Sequence, residues 1–331
     1  MQTAGLVVFC IVALGFDFTN GFHDAANAIA VSVTTRALRP LTALGMAAAL
    51  NVVGALVSTK VAATVGQGII TTPTGTHGLA IVFAALIGAI GWNLVTWRLG
   101  LPSSSTHALI GGLVGAGLAS ATAVHWSSLV TKVVIPMVAS PVIGLILGFL
   151  LMLAILWGWR RARPARVNRQ FRGAQPISAA AVAFSHGTQD AQKTMGVVTL
   201  ALLATGHLTT FDVPLWVILA AAGSMGLGTL AGGWRIIRTL GSRITNLDPP
   251  RAFAAQAATS TVLLVSAYAY ALPVSSTHVM TSSIMGVGAT RRAMAVRWGV
   301  ARQIGVAWVL TIPGAAAAAW LAYQVVRAVT G

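Results

Sequence analysis

The chain carries the same pair of motifs twice, and this duplication limits its fold more than any other feature. Asn20-Gly21-Phe22-His23-Asp24-Ala25-Ala26-Asn27 has a counterpart in His186-Gly187-Thr188-Gln189-Asp190-Ala191-Gln192-Lys193. Pro102-Ser103-Ser104-Ser105-Thr106-His107 has one in Pro273-Val274-Ser275-Ser276-Thr277-His278. The copies are 166 and 171 residues apart, as a tandem duplication with small loop changes would leave them. The surrounding sequence is apolar. Of its residues 56% are hydrophobic and 8% charged, against about a quarter charged in a soluble domain. The acidic residues number five, all Asp. A carboxylate in such a setting is costly, which makes Asp24 and Asp190 functional candidates.

These proportions point to a polytopic membrane protein. Its 331 residues can supply roughly ten spans of about 20 residues. The segments read as 4–35, 40–58, 78–97, 102–124, 128–158, 177–205, 213–234, 251–272, 273–290 and 298–326. The N-terminus shows no basic n-region or small-residue cleavage site, so no removable signal peptide is expected. A single cysteine, Cys10, excludes an intramolecular disulfide and reads as a packing residue. The net charge of +16 would suggest nucleic acid as a partner, but the basic residues sit at the ends of apolar runs. There they set topology and meet anionic lipid headgroups, so membrane lipid is the expected partner and nucleic acid is not.

The charges also orient the repeats. Six Arg between 159 and 176 mark a basic cytoplasmic linker, which divides a first repeat (1–158) from a second (177–331). Five spans per repeat is an odd number, so the second copy is expected to be inverted. Arg36 and Arg39 follow the first Asp segment, whereas no basic residue lies in 206–211 after the second. The next loops swap: 59–77 holds only Lys60, while 235–251 holds Arg235, Arg238, Arg243 and Arg251. This assignment puts 17 of the 21 basic residues inside and both termini outside. Inverted repeats of this kind place a transport site near the midplane between them.

Each motif has its own chemistry. Gly100 and Pro102 end one helix, and the following Ser residues can cap the next. Such a break exposes N–H groups at a positive dipole end. Ser103, Ser104, Ser105 and Thr106, with Ser275, Ser276 and Thr277, add hydroxyl donors, which makes a candidate anion site. Asp24, flanked by Asn20 and Asn27 with Gly21 allowing local unwinding, offers hard oxygens for Na⁺ or a carboxylate for a proton. Asp190 is its counterpart. Lys193 stands where Asn27 stands in the first copy, one helical turn from Asp190, placed to pair with that carboxylate or to touch a bound anion. His23, His107, His186 and His278 adjoin the motifs as proton carriers or structural residues. A Gly-x-x-x-x-Gly-Lys-Ser/Thr phosphate loop and metalloprotease spacing are both absent, which argues against ATP hydrolysis and other enzyme chemistry.

The segments 20–28, 102–107, 186–196 and 273–278, together with Gly232 to Thr239 and Ile284 to Gly288, closely resemble the inorganic phosphate transporter (PiT) family, of the bacterial low-affinity permease type. The resemblance implies an all-α polytopic membrane protein of two inverted-topology repeats, about five segments each, with broken or re-entrant helices at the substrate site. It implies a secondary active transporter, a homodimer in the inner (plasma) membrane, importing inorganic phosphate by symport with Na⁺ or H⁺. It implies no cofactor, and a metal-phosphate complex as an alternative cargo. Two departures bear on coupling. Gln189 stands where the family usually has Asn. Gln256 stands where it often has Glu, with Asn51 expected as its repeat partner. An amide oxygen can bind Na⁺ but cannot carry a proton. A sulfate permease of the same family is the alternative, and a passive anion channel the alternative of another class.

Overall fold

The computed structural model describes residues 2–330. Among these the chain is helical, apart from loops and one isolated bridge between Ile70 and Val124. The first half runs α1 (Gln2–Thr34), α2 (Pro40–Ala55), α3 (Lys60–Gln67), α4 (Thr76–Leu99), α5 (Ser105–Ala119) and α6 (Trp126–Leu129), then a π turn into α7 (Ile135–Gly158). The second half repeats the order: α8 (Pro164–Ala204), α9 (Leu215–Ala231), α10 (Trp234–Arg238) with a π turn, α11 (Pro249–Tyr270), α12 (Ser276–Ala289) and α13 (Trp298–Thr330).

Among the described residues, five helical stretches are long and apolar enough to cross a membrane: Ala4–Thr34, Thr76–Leu99, Trp126–Gly158, Pro249–Tyr270 and Trp298–Val329. Two further helix pairs are apolar enough only when taken together and are bent, as in a broken span or a re-entrant loop. Pro40–Ala55 meets Lys60–Gly66 at 79°, and Leu215–Ala231 meets Trp234–Arg243 at 60°. The segments expected at 40–58 and 213–234 correspond to α2 and α9, and the chain turns at their ends, at Leu56–Thr59 and at Gly232-Gly233, where Gly232 takes φ 70°. At 15 and 14 residues, α5 and α12 are about 22 Å long, too short for a hydrocarbon core of about 30 Å. They are the expected broken helices, each starting after a helix that stops in the left-handed region, at Gly100 (φ 66°) and Ala271 (φ 50°). α8 is 41 residues long and begins within the Arg-rich stretch, so most of 159–176 is helix. Its second half, through His186 to Lys193, is almost wholly buried, so this helix can carry polar groups on every side without meeting lipid.

The halves interlock. α5 packs along α13 and α12 along α7; α1 packs along α9 and α8 along α2. Each of these eight helices therefore lies against an element of the other half, in a reciprocal pattern. Glycines set the closest approaches. A Cβ on Gly21 would strike the Met225 carbonyl and one on Gly228 the Phe18 carbonyl, so α1 and α9 meet backbone to backbone. Gly187 and Gly54 do the same for α8 and α2, against Asn51 and Phe184. This corrects the expectation of unwinding at Gly21. α1 is continuous there, and the missing side chain serves helix contact rather than backbone freedom.

Candidate functional site

The four motifs converge. α5 and α12 begin with equivalent caps. Ser104 Oγ accepts the His107 N–H at 3.2 Å and Ser275 Oγ the His278 N–H at 3.2 Å, which leaves the neighbouring hydroxyls free to face inward. Both inward hydroxyls reach the same carboxylate. Ser105 donates to Asp24 Oδ2 at 3.0 Å and Thr277 to Asp24 Oδ1 at 3.3 Å. Asn27 donates to Thr277 Oγ1 at 2.8 Å and to Ser276 Oγ at 3.2 Å. Two positive helix ends thus point at one buried Asp from different halves of the chain.

α8 supplies the other side. Lys193 Nζ lies 3.0 Å from Asp190 Oδ2 and donates to Ser105 Oγ at 2.9 Å, so it ties the second Asp motif to the first hydroxyl motif. His186 Nε2 lies 3.0 Å from Asp190 Oδ2 and 3.9 Å from Asp24 Oδ2. Asp24, His186 and Asp190 offer ligand atoms all within 4.8 Å of one another, a spacing that could hold a cation. His23 Nδ1 lies 2.6 Å from Asp24 Oδ1, and its far nitrogen faces Thr96 and Ser103, which bond each other at 2.8 Å. Asp24, Asp190 and Lys193 are all nearly inaccessible to solvent.

The remaining sequence candidates support this cluster from around it. Thr106 is buried on the first turn of α5. Gln189 donates to the Leu263 carbonyl at 2.7 Å and accepts the Val274 N–H at 3.2 Å, which holds the start of the second hydroxyl motif. Asn51 accepts from or faces His186 Nδ1 at 3.2 Å and donates to Thr229 at 2.9 Å. Gln256 accepts from Ser178 and donates to the Ala28 carbonyl and Ser32, one turn beyond Asn27. Asn51 is in α2, the second helix of its half, and Gln256 in α11, the fourth of its own, so they do not occupy matching elements. The motif offset places Ala85 opposite Gln256 instead. Asn20 lies one turn from Asp24 and, among the described residues, makes no side-chain hydrogen bond.

His186, His23 and Thr96 enter the site more directly than their sequence setting indicated. His23 adjoins its Asp, whereas His186 is four residues before its own. The spacing i, i+4 on a helix is the signal that could have found the second. His107 and His278 instead pack ring to ring at 4.9 Å, with His278 stacked at 4.0 Å on Trp308, whose Nε1 donates to the Pro102 carbonyl. Asp17 is fully buried in α1, an acidic residue inside a span that sequence reasoning did not single out.

Residues 20–319 match the model of the phosphate transporter family. The chain belongs to that family. It is 48% identical to a probable low-affinity inorganic phosphate transporter of Rhizobium meliloti, over 96% of this chain and 95% of the relative. It is 42% identical to one of Bacillus subtilis, over 97% and 96%. Among solved structures it resembles a sodium-dependent phosphate transporter, with a TM-score of 0.87 and 25% identity over 98% of this chain and 99% of the other. Membership makes the chain a multi-pass membrane transporter and sets aside the enzyme reading.

Proposed function

We propose that this chain is a secondary active transporter that imports inorganic phosphate by symport with Na⁺ or H⁺. One observation carries the reading: the hydroxyl-bearing N-termini of α5 and α12, one from each half, meet at the Asp24 carboxylate. A helix end supplies about half a positive charge, and phosphate at neutral pH carries between one and two negative charges. Asp24 and Asp190 add two more, against a single Lys193. An anion bound at Ser105, Ser276 and Thr277 therefore needs accompanying cations, because uncompensated buried charge costs several kcal/mol. The Asp24–His186–Asp190 group is placed to hold them. The sodium-dependent structural relative favours Na⁺, and the two Asp–His contacts favour H⁺.

Radiolabelled phosphate uptake into proteoliposomes tests this. Uptake above equilibrium is expected only with an imposed Na⁺ or H⁺ gradient, and excess sulfate should leave most of it. Uptake that merely equilibrates would make the chain a passive anion channel. Strong competition by sulfate would make it a sulfate permease, and a requirement for divalent metal would make the cargo a metal-phosphate complex.

The topology forms part of the same proposal. Repeats 1–158 and 177–331 are inverted in the inner membrane, 159–176 faces the cytoplasm, and both termini face out, with two chains forming a dimer. In a variant lacking Cys10, Arg166→Cys should react with an impermeant thiol reagent only after the cells are opened. Labelling in intact cells would reject the orientation.

A further inference from the structure

We propose that Asp17, Asn20 and Thr194, with Asn93 level with them, form a second cation site, separate from the Asp24 cluster, that takes a Na⁺ ion. The inference rests on reading the chain as a cation-coupled transporter.

Helix register brings these residues together. α1 and α8 run antiparallel: His186 faces Asp24, and seven residues back along α1 the Asp17 carboxylate faces Thr194 and Asn20. α1 and α4 run parallel: Gly5 faces Leu79 and His23 meets Thr96, an offset that puts Asn93 level with Asn20. Seven residues of helix put the Asp17 carboxylate about 10 Å from Asp24, too far for the two to share one ion, with Asn20 between them.

The four side chains are fully buried. Among the described residues, neither oxygen of Asp17 has a hydrogen-bond partner, nor does either amide atom of Asn20 or Asn93, nor Thr194 Oγ1. Buried polar groups are bonded in about nine cases of ten, so four such side chains within about one helical turn point to a ligand. Asp17 stands beside Thr194 and Asn20, but none of these atoms is in a well-aligned hydrogen bond. What the layer offers is one carboxylate, two amide oxygens and a hydroxyl, a set of hard oxygen donors. With Asp17 ionised, the layer would also lack one positive charge. The nearest ammonium, Lys193, is already held by Asp190 at 3.0 Å and Ser105 at 2.9 Å. One carboxylate with neutral oxygens suits a monovalent ion rather than a divalent one.

Equilibrium binding of radioactive Na⁺ to the purified protein in detergent, without phosphate, tests the site. Asp17→Asn should bind one Na⁺ fewer per chain than the parent protein, while Asp24→Asn retains that ion. Asn20→Ala and Thr194→Val should each weaken Na⁺ binding about tenfold, as expected for loss of one charge-assisted oxygen contact. An equal Na⁺ count in the parent and Asp17→Asn overturns the proposal. If Asp17→Asn does not fold, unchanged Na⁺ affinity in both Asn20→Ala and Thr194→Val overturns it equally. The two levels fail differently. If the transporter reading is wrong, no gradient drives phosphate uptake. If only this site is wrong, the Na⁺ count is unchanged in a protein that still concentrates phosphate.

Discussion

Asp24→Asn and Asp190→Asn are each expected to lower gradient-driven phosphate uptake by at least about a hundredfold, with the protein still reaching the membrane. Asp24 accepts from Ser105 and Thr277 and lies beside His23, so it joins both hydroxyl motifs to the candidate cation position. Losing a contact to a charged partner costs roughly 1.5–3 kcal/mol, and two such contacts suffice for this effect. Asp190→Asn carries a second consequence. It leaves Lys193 buried without its carboxylate, and breaking a buried pair costs about 3–5 kcal/mol. The double variant Asp190→Asn with Lys193→Met should therefore recover yield and a monodisperse size-exclusion profile, but not uptake. Concentrative uptake by both single Asp variants would assign the carboxylates a structural role. Recovery of uptake in the double variant would show that Asp190 serves only to neutralise Lys193.

The second large effect separates hydroxyls that face the site from hydroxyls that cap helices. Ser105→Ala combined with Thr277→Ala should raise the phosphate concentration for half-maximal uptake by more than about tenfold, given the same 1.5–3 kcal/mol for each lost charge-assisted bond. Ser104→Ala combined with Ser275→Ala removes the two caps. It should lower thermal stability by about 1 kcal/mol per helix while changing apparent phosphate affinity less. Equal affinity losses in the two pairs would mean that the whole N-terminal turn, rather than its inward hydroxyls, holds the anion.

Much of this arrangement can be read from the chain. The two Pro-Ser/Thr motifs mark helix starts wherever they stand, because proline lacks the N–H that would continue a helix and serine satisfies the free N–H groups that follow. The structure has α5 and α12 beginning at Ser105 and Ser276, within three residues of the segment starts expected at 102 and 273. The membrane class is equally local, since it follows from long apolar runs and scarce charge. Other features could not be read this way. Gly21 is compatible with unwinding or with close packing, and only the position of α9 decides for packing. The bends at 56–59 and 232–233 fall at the ends of expected segments, but that Lys60–Gly66 and Trp234–Arg243 continue them at 79° and 60° depends on the packing around them.

The sequence by itself determined the duplicated motifs, the breaks before α5 and α12 and the placing of two carboxylates in apolar helices, because each depends on residues close together along the chain. Only the tertiary structure decided which groups share a site. Ser105 meets Asp24 and Lys193, Thr277 meets Asp24 and Asn27, and His186 lies between the two Asp residues. It also decided that Gln189, Asn51 and Gln256 spend their amides on neighbouring helices, and that Asp17 lies beside Asn20 and Thr194. The physical reason is that these contacts cross between the halves or between helices remote in sequence. Their geometry is set by how closely the glycine-bearing faces allow α1, α2, α8 and α9 to approach, a property of the packed assembly rather than of any one segment.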